Sequence, residues 1–356
     1  MSALRARVES FCRRYGLRVP ILLAPMAGAT PASLSIAVGN AGAMGALGAL
    51  LMKPEEILAW ASDVRAATNG TFSINLWIPD PPAPRDAQHE ARIRSFLAQW
   101  GPEIPENAGD VSLPDFNAQL DALVAAAPAA VSSIMGLFLP AFIARLNARG
   151  IAWFATATTV RDARAAEEAG ADAIVAQGAE AGGHRGAFDA GRAEHELVGT
   201  FSLVPAIADA VRVPVIAAGG IADARGIAAA LALGASAVTI GTGLLRTPEA
   251  KTHPAWADAL AKAAPEDTIV SRAFTGRPAR SLANAYIRAV SKPDAPAPAP
   301  YPVQRGLTQP MRIAANKSAD TDRMQLWAGQ SASLARDLPA GELISQLWRE
   351  ASALLA

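Results

Sequence analysis

Residues 213–245 read VPVIAAGGIADARGIAAALALGASAVTIGTGLL. Two short apolar runs in this stretch, residues 213–217 and 237–240, lack polar alternation, which is typical of parallel strands covered on both faces. Each run ends in a glycine turn, Gly219-Gly220 after the first and Gly241-Thr242-Gly243 after the second. Glycine lets the backbone approach a ligand closely, and successive main-chain N–H groups can converge on a phosphate. Because the loops after the last two strands of a (β/α)8 barrel often bind phosphate, this stretch predicts the end of such a barrel.

Six further apolar runs come before this stretch, separated by segments with helical periodicity. Several of these segments open with a capping residue or proline and close with glycine, among them residues 31–40, 54–66, 159–169 and 223–233. Eight β/α alternations within about 220 residues favour a closed barrel over an open doubly wound sheet. The candidate strands lie at residues 21–24, 44–47, 72–76, 130–133, 153–156, 173–176, 213–217 and 237–240.

The expected architecture is therefore an α/β protein, a TIM barrel with a helical cap on its substrate side. We predict the barrel over residues 1–245, the cap over 246–314, and C-terminal helices that pack back on the barrel over 315–356. Residues 246–290 are predicted as helices. The proline-rich segment KPDAPAPAPYP at 292–302 is predicted as a stiff extended connector.

Three further segments complete the predicted organisation. Residues 79–114 contain seven prolines around one helical piece, which indicates a long excursion after the third strand. Residues 2–15 are predicted as a helix that closes the end of the barrel opposite the active site. Residues 326–355 carry an amphipathic helical pattern.

The composition excludes several classes of function. Lysine plus arginine equals aspartate plus glutamate, 32 each, so no overall field attracts nucleic acid or an anionic membrane. Cys12 is the only cysteine, which rules out an internal disulfide and agrees with a reducing compartment. The N-terminal residues have no signal-peptide core, and no run approaches the ~20 apolar residues of a membrane span. We expect a soluble, cytoplasmic protein that needs no nucleic acid or membrane, as either a monomer or a homodimer.

His184 is the strongest catalytic candidate. It follows the sixth strand in AQGAEAGGHRG, residues 176–186, where Gly182 and Gly183 would let it reach over a bound ligand. An imidazole with an ordinary pKa of about 6.5 can accept or donate a proton near neutral pH. A lone histidine is more often structural, but the strand end and the glycine-rich approach favour catalysis here. No histidine or carboxylate lies at zinc-ligand spacing, which argues against a metal site.

The polar residues at the strand ends suggest a flat, phosphorylated cofactor across the barrel mouth. Backbone N–H groups of Gly219, Gly220, Gly241 and Thr242 would hold its phosphate. Asn75 and Gln177 could bind the polar edge of a flavin ring, and the segment Ala24-Pro25-Met26 could form a wall against its face. FMN satisfies all of these positions. A sugar-phosphate or nucleotide substrate would fit the phosphate site equally well, and the amides and the histidine favour FMN.

The chain resembles the nitronate monooxygenases, formerly called 2-nitropropane dioxygenases, and the related flavin-dependent enoyl-ACP and quinone reductases. The resemblance runs in order over nearly the whole chain, and EAGGH is its most specific element. It rests on LLAPMAGAT (22–30), SINLW (73–77), AQGAEAGGHRG (176–186), VIAAGGIAD (215–223), TIGTGLL (239–245), FTGRPARSLAN (274–284) and WAGQ (327–330).

The resemblance implies an FMN-binding barrel with His184 as the active-site base. Electrons would pass from a nitronate to FMN, and reaction with O2 would yield a carbonyl compound and nitrite. For a neutral nitroalkane, His184 would remove the proton beside the nitro group. Including the strand-end residues named above, the expected FMN contacts are Ala24, Pro25, Met26, Asn75, Gln177, Gly182, Gly183, Gly219, Gly220, Thr239, Ile240, Gly241 and Thr242.

One position departs from the family pattern. Many bacterial members have a histidine after the fourth strand, whereas this chain has Ile134, which cannot donate a hydrogen bond to an anionic nitro group. The substrate could therefore be bulkier or less polar. Candidate substrate contacts are Ile134, Arg277, Arg280, Asn284 and Tyr301, although a surface salt bridge is the commoner role of a single arginine.

Three classes of function remain open at this point. The first is an FMN-dependent monooxygenase of nitronates, with a small-molecule substrate and O2 as its partners. The second is an NAD(P)H-dependent flavin reductase of quinones or enoyl thioesters. The third is a flavin- or phosphate-binding module without catalysis, in which His184 would have no kinetic role.

Overall fold

The computed structural model describes residues 3–356, and its main sheet is a parallel barrel of eight strands. The strands are β1 (Ile21–Leu23), β2 (Gly45–Gly48), β3 (Phe72–Trp77), β4 (Ala130–Ile134), β5 (Ala152–Ala157), β6 (Ala173–Gln177), β8 (Val215–Ala218) and β9 (Ala237–Ile240), whereas β7 (Gly183–His184) belongs to a second sheet. Around the barrel, β1 is followed by β9, β8, β6, β5, β4, β3 and β2, and a bridge between Leu22 and Met44 closes the ring. The predicted TIM barrel is confirmed.

The helices alternate with these strands as predicted. Local signals explain where several begin: Asp223 Oδ1 accepts the Gly226 N–H at 3.0 Å, and Thr159 Oγ1 accepts the Asp162 N–H at 3.1 Å, each capping a helix. The helices are α1 (Ala3–Tyr15), α2 (Ala32–Asn40), α3 (Pro54–Ala67), α4 (Ala87–Leu97), α5 (Phe116–Ala126), α6 (Pro140–Ala148), α7 (Val160–Glu168), α8 (Thr200–Ala208), α9 (Ala224–Ala232), α10 (Pro254–Lys262), α11 (Ala285–Val290), α12 (Val303–Leu307), α13 (Gln309–Ser318) and α14 (Ala340–Leu354).

The N-terminal helix α1 closes the bottom of the barrel. Its Phe11 and Tyr15 pack with residues from the first positions of several strands, including Ala130, Ala152 and Ala173. The Tyr15 ring meets the Phe154 ring edge-on, with centroids 5.1 Å apart. The predicted helix over residues 2–15 is therefore present from Ala3 onward, and Ser2 lies outside the described residues. With one end closed, a ligand can enter the barrel only from the carboxyl ends of the strands.

The cap combines helices with a small antiparallel sheet. Its strands are β7 (Gly183–His184), β10 (Thr268–Ser271) and β11 (Ala279–Leu282), with β11 in the middle. The prediction of helices throughout 246–290 is thus wrong at β10 and β11. Residues 279 and 280 pair with 184 and 183, so main-chain hydrogen bonding across the cap selects strand where local periodicity favoured helix.

The proline-rich excursion after β3 packs on the cap. Ile93 and Leu97 of α4 share an apolar cluster with Phe274, Tyr286 and Met311. Helix α13 runs without a break through residues 314 and 315, where we predicted a domain boundary.

The C-terminal segment contains less helix than predicted. Only α14 is α-helical within 326–355, and its Leu343, Ile344 and Leu347 pack into the core around the barrel. Residues 327–331 instead cross the mouth of the barrel, where their backbone bonds to active-site loops. Within residues 3–356, no helix is long and apolar enough to span a bilayer.

Candidate active site

A cavity of about 660 Å³ opens at the carboxyl ends of the barrel strands. Its volume falls within the roughly 300–1,000 Å³ typical of sites for small molecules and cofactors. The floor comes from strand ends and the loops that follow them, and the upper wall comes from the cap and residues 327–331. Among the lining residues are Ala24, Asn75, Trp77, Ile134, Thr156, Gln177, His184, Gly220, Thr242, Tyr301, Arg305 and Trp327.

Two turns at one end of the cavity present unpaired backbone donors. Gly219 and Gly220 have φ angles of +106° and +70°, a backbone conformation that residues other than glycine rarely adopt. Within residues 3–356, the N–H groups of Gly219, Gly220, Gly241 and Thr242 donate to no protein acceptor. Unpaired N–H groups that line a cavity suit an anionic ligand, since buried donors are normally satisfied.

The segment at residues 328–331 packs against these turns. Thr242 Oγ1 accepts the Gly329 N–H at 3.0 Å, and Ser331 Oγ donates to the Gly220 carbonyl at 2.7 Å. Gly182 fits beneath this segment because it has no side chain: a Cβ there would lie 2.5 Å from the Gly329 nitrogen. The loop that carries the histidine therefore depends on a glycine for its closest contact.

Two side chains fix the loop between β6 and β7. Gln177 donates from Nε2 to the His184 carbonyl at 3.0 Å and accepts the Gly186 N–H on Oε1 at 2.7 Å. The Glu180 carboxylate accepts the Thr200 N–H at the start of α8, at 2.8 Å, where a negative charge is favourable. The loop is thus held at both sides, and His184 is positioned rather than mobile.

The His184 ring is enclosed by aromatic rings and one hydroxyl. Its Nε2 lies 2.9 Å from Thr275 Oγ1. The ring centroids of Trp77 and Trp327 lie 4.6 Å and 5.1 Å from that of His184, both nearly edge-on. Burial, followed by the positive charges of Arg277 and Arg305, lowers the pKa of His184 to about 3. The imidazole is therefore neutral at physiological pH and can accept a proton.

A match to known proteins covers nearly the whole chain. Residues 13–350 match the family model described as nitronate monooxygenase. The chain belongs to the nitronate monooxygenase family. One relative, the nitronate monooxygenase of Paraburkholderia phytofirmans, is 41% identical over 341 residues, which cover 94% of this chain and 93% of that protein. The sequence resemblance to this family is confirmed, and the chain is an enzyme of this family.

Two solved structures have a similar fold over nearly the whole chain. A nitroalkane oxidase from Streptomyces ansochromogenes superposes with a TM-score of 0.87 at 37% identity, covering 97% of this chain and 98% of that one. FabK from Thermotoga maritima superposes with a TM-score of 0.75 at 28% identity, covering 97% and 96%. FabK has both the lower TM-score and the lower sequence identity of the two.

Most residues predicted to contact the family's cofactor line one cavity. Of those residues only Ile240 does not, because its fully buried side chain packs in the barrel core. The cavity wall includes Ala24, Pro25, Met26, Asn75, Gln177, Gly182, Gly183, Gly219, Gly220, Thr239, Gly241 and Thr242, together with His184.

The predicted substrate residues divide into two groups. Ile134 and Tyr301 line the cavity. The other three are engaged elsewhere: Arg277 Nη1 donates to Asp80 Oδ2 at 2.7 Å, and Arg280 Nε donates to the Ala179 carbonyl at 2.8 Å. Asn284 caps α11. These three are buried, which also differs from the surface salt bridges considered for the arginines.

Four residues that contact His184 or act on it by their charge were not predicted as site residues from the sequence. Trp77, Thr275 and Trp327 lie in segments quoted for the resemblance, but nothing in those segments predicts contact with the imidazole. Arg305 lies in a helix far along the chain. His253 also lines the cavity. Its position in the sequence, just before α10, did not predict this. Within residues 3–356, no cluster of His, Cys, Asp and Glu is arranged to hold a metal ion.

Proposed function

We propose that this chain is an FMN-dependent oxidoreductase that oxidises alkyl nitronates, and nitroalkanes after deprotonation, with O2 to a carbonyl compound and nitrite. The observation that carries the proposal is the shared cavity: the neutral His184 lines the same space as the unpaired N–H groups of two glycine turns. Membership of the nitronate monooxygenase family supports the reaction class.

The residues present fit FMN. The turns at Gly219-Gly220 and Gly241-Thr242 offer unpaired main-chain donors for a phosphate. The glycines also let these turns pack tightly on the protein, since a Cβ would lie 3.0 Å from the Ala181 nitrogen at Gly219 and 3.1 Å from the Ala24 Cβ at Gly241. Asn75 Nδ2 donates to Ser132 Oγ at 2.9 Å, which leaves its Oδ1 available to a donor on the ring edge. Ala24, Pro25 and Met26 form a small, mostly apolar wall.

Bound FMN would supply the electron acceptor, which none of the amino-acid side chains in this cavity can provide. The chain itself has two tasks. It binds the substrate near the ring, and it removes a proton when the substrate is a neutral nitroalkane. His184 is suited to the second task because its imidazole is unprotonated and faces the cavity.

Proton transfer creates an imidazolium beside a new nitronate anion. Burial and the charges of Arg277 and Arg305 disfavour that imidazolium, but an anion next to it would stabilise it. Proton removal from a nitroalkane should thus be the costly step, so we expect preformed nitronates to be the better substrates. Trp77 and Trp327 keep water from the ring edges and strengthen these charge interactions.

We also infer a functional division of the chain. The barrel over residues 1–245 would bind FMN, and the cap over 246–314 would close the substrate side, joined by the 79–114 excursion that packs on it. A cytoplasmic location, and independence from nucleic acid, are supported by the balanced charge and the single cysteine.

An absorption spectrum of the purified protein, followed by anaerobic titration, tests the proposal. We expect a flavin spectrum that bleaches with ethylnitronate and recovers with O2 while nitrite forms. Bleaching by NAD(P)H and not by the nitronate would favour the reductase alternative, to which the likeness to FabK points. A protein that neither contains nor binds FMN would contradict both.

A further inference from the structure

Arg305 is a cation without a protein partner in the wall of the active-site cavity. It lies on α12, is half-buried, and lines the cavity. Within residues 3–356, its guanidinium donates no hydrogen bond and pairs with no carboxylate. Placing a guanidinium in a partly enclosed cavity without a counter-charge is costly. The geometry therefore calls for an anion that the protein itself does not supply.

The neighbouring arginines differ from Arg305 in this respect. Arg277 pairs with Asp80, so it has a counter-charge within the protein. Arg312 also lines the cavity, but its three donor nitrogens bond to Thr308 Oγ1, Gln325 Oε1 and the Arg305 carbonyl, at 3.2, 3.0 and 2.8 Å. Lys251, another cation of the cavity wall, is exposed to solvent. Of these four cations, Arg305 alone is both sheltered and unpaired.

A chain of contacts connects this cation to the catalytic region. Tyr301 lies in the turn just before α12, the helix that carries Arg305. Its ring centroid is 5.5 Å from that of Trp77, which itself contacts His184. In the described part of the chain, the buried Tyr301 hydroxyl has no hydrogen-bond partner. Burial raises the pKa of Tyr301, and the charge of Arg305 opposes that rise. Burial lowers the pKa of His184, and the charges of Arg277 and then Arg305 lower it further. The guanidinium field therefore acts where the substrate would react.

Ile134 shows that the hydrogen-bond donor for an anionic substrate must lie elsewhere in the cavity. It lines the same cavity and offers no donor to a charged substrate. A nitronate carries two oxygens on one planar nitrogen and a negative charge, the same arrangement as a carboxylate. The planar fork of arginine matches that arrangement with two parallel hydrogen bonds, whereas lysine offers only a point charge.

We propose that Arg305 binds the anionic nitro group of the nitronate and makes this enzyme selective for nitronate anions over neutral nitroalkanes. The inference rests on the proposed function, because it names the residue that recognises the substrate in the same cavity. In this role Arg305 replaces the donor that position 134 lacks.

The test compares Arg305→Met with Arg305→Lys and with Arg149→Met. Arg149 is exposed at the end of α6, so the Arg149→Met substitution removes the same charge at a position away from the cavity. Anaerobic flavin bleaching by ethylnitronate gives an apparent Kd and a limiting rate, and steady-state oxidation gives KM for freshly dissolved nitroethane. Nitrate, a planar anion that cannot be oxidised, serves as a probe of binding through its perturbation of the flavin spectrum.

We expect Arg305→Met to raise the apparent Kd for ethylnitronate by about 10- to 100-fold, the usual worth of a charge-assisted hydrogen-bonded pair. The KM for nitroethane should change by less than about 3-fold, and the perturbation by nitrate should disappear. Arg305→Lys should fall between wild type and Arg305→Met, because the charge stays and the fork is lost. Arg149→Met should behave as wild type, and all three variants should retain FMN.

Three results would overturn the proposal: unchanged ethylnitronate affinity in Arg305→Met, equal losses for ethylnitronate and nitroethane, or loss of FMN instead of substrate affinity. If Arg305→Met fails to fold, the affinity of Arg305→Lys for ethylnitronate and its flavin perturbation by nitrate test the same proposal. A wild-type protein that does not oxidise ethylnitronate would contradict the proposed function itself. Wild-type activity with an unaffected Arg305→Met would contradict only the role of Arg305.

Discussion

Thr275 Oγ1 lies 2.9 Å from His184 Nε2, although the two residues are 91 positions apart in the chain. The same hydroxyl lies 3.3 Å from the Arg277 carbonyl. A hydroxyl has one proton, and donating it to that carbonyl leaves Oγ1 as the acceptor for an Nε2–H of His184. In this tautomer the lone pair lies on Nδ1, which has no hydrogen-bond partner within residues 3–356. The free nitrogen is thus the one available to a substrate.

Removing the hydroxyl of Thr275 should impair His184 without removing it. Thr275→Val keeps the shape of this buried side chain, and we expect about a 10-fold lower kcat/KM for nitroethane because the tautomer and ring orientation are no longer held. Thr275→Ser should restore activity. Oxidation of preformed ethylnitronate should change little in either variant. A deficit in Thr275→Val that is equal for both substrates would indicate a purely structural role.

Replacing the base should separate the two substrate types. His184→Asn should lower the rate with nitroethane by about 10²- to 10⁴-fold, the usual contribution of a general base. Oxidation of ethylnitronate, which needs no proton removal, should be much less affected, and FMN should stay bound. Steady-state kinetics with both substrates, together with the flavin absorbance of the purified variant, measure these effects. Equal losses on the two substrates would contradict the role as base.

The lowered pKa of His184 has a consequence for the pH profile. Because the pKa of the free protein is about 3, the imidazole is unprotonated from pH 8 to pH 5. The kcat/KM for nitroethane, which reports the free enzyme, should therefore show no acidic limb near the ordinary histidine pKa of about 6.5. In Arg305→Met the pKa should rise, since one positive neighbour is gone, and should remain below that ordinary value because burial is the larger cause. A wild-type limb near pH 6.5 would refute this description.

The same pKa links protonation to stability. Between pH 6.5 and pH 3 the unfolded chain binds a proton at His184 and the folded chain does not, so this group destabilises the fold as the pH falls. His184→Asn removes that contribution. Thermal unfolding of FMN-free wild type and variant at pH 7.5 and pH 5 measures it. We expect the wild type to lose more stability on acidification, and parallel losses would show that His184 is not buried in the neutral form.

A substitution at Gly182 tests the proposed binding site for the FMN phosphate. A Cβ in Gly182→Ala would lie 2.5 Å from the Gly329 nitrogen and 3.0 Å from Thr242 Oγ1, forcing the two loops apart. We expect at least about a 10-fold weaker affinity for FMN, measured by equilibrium titration of the FMN-free protein. Gly341→Ala in α14 is the matched control, because a Cβ there meets nothing closer than 3.6 Å. Unchanged FMN affinity in Gly182→Ala would place the phosphate elsewhere.

Much of the barrel could be predicted from the sequence because its signals are local. Parallel strands buried on both faces appear as short apolar runs, and each of the eight was placed within about two residues of its observed position. The stretch at 213–245 also marked its glycine turns, since a positive φ at Gly219 and Gly220 leaves few alternatives to glycine. His184 stood out because a glycine-rich loop at a strand end is unusual.

The surroundings of His184 depend on contacts that no local pattern encodes. The local sequence of β11 predicted helix, but β11 forms a strand because it pairs with Gly183 and His184. That pairing brings Thr275 to the imidazole. Trp327 reaches the ring because residues 327–331 cross the barrel mouth instead of forming the start of a helix. Arg277 and Arg280 appeared suitable for substrate, but tertiary packing turns them to Asp80 and Ala179.

The sequence by itself determined the barrel and the two glycine turns at its strand ends, and it marked His184 as a candidate base, because backbone geometry and burial on both faces restrict which residues can occupy those positions. Only the tertiary structure decided which cation in the cavity stays unpaired and which nitrogen of His184 is free. Both depend on partners from distant parts of the chain: Arg277 pairs with Asp80, while Arg305 has no such partner among the described residues 3–356. Charge compensation is a property of three-dimensional neighbours, and periodicity along the chain does not record it.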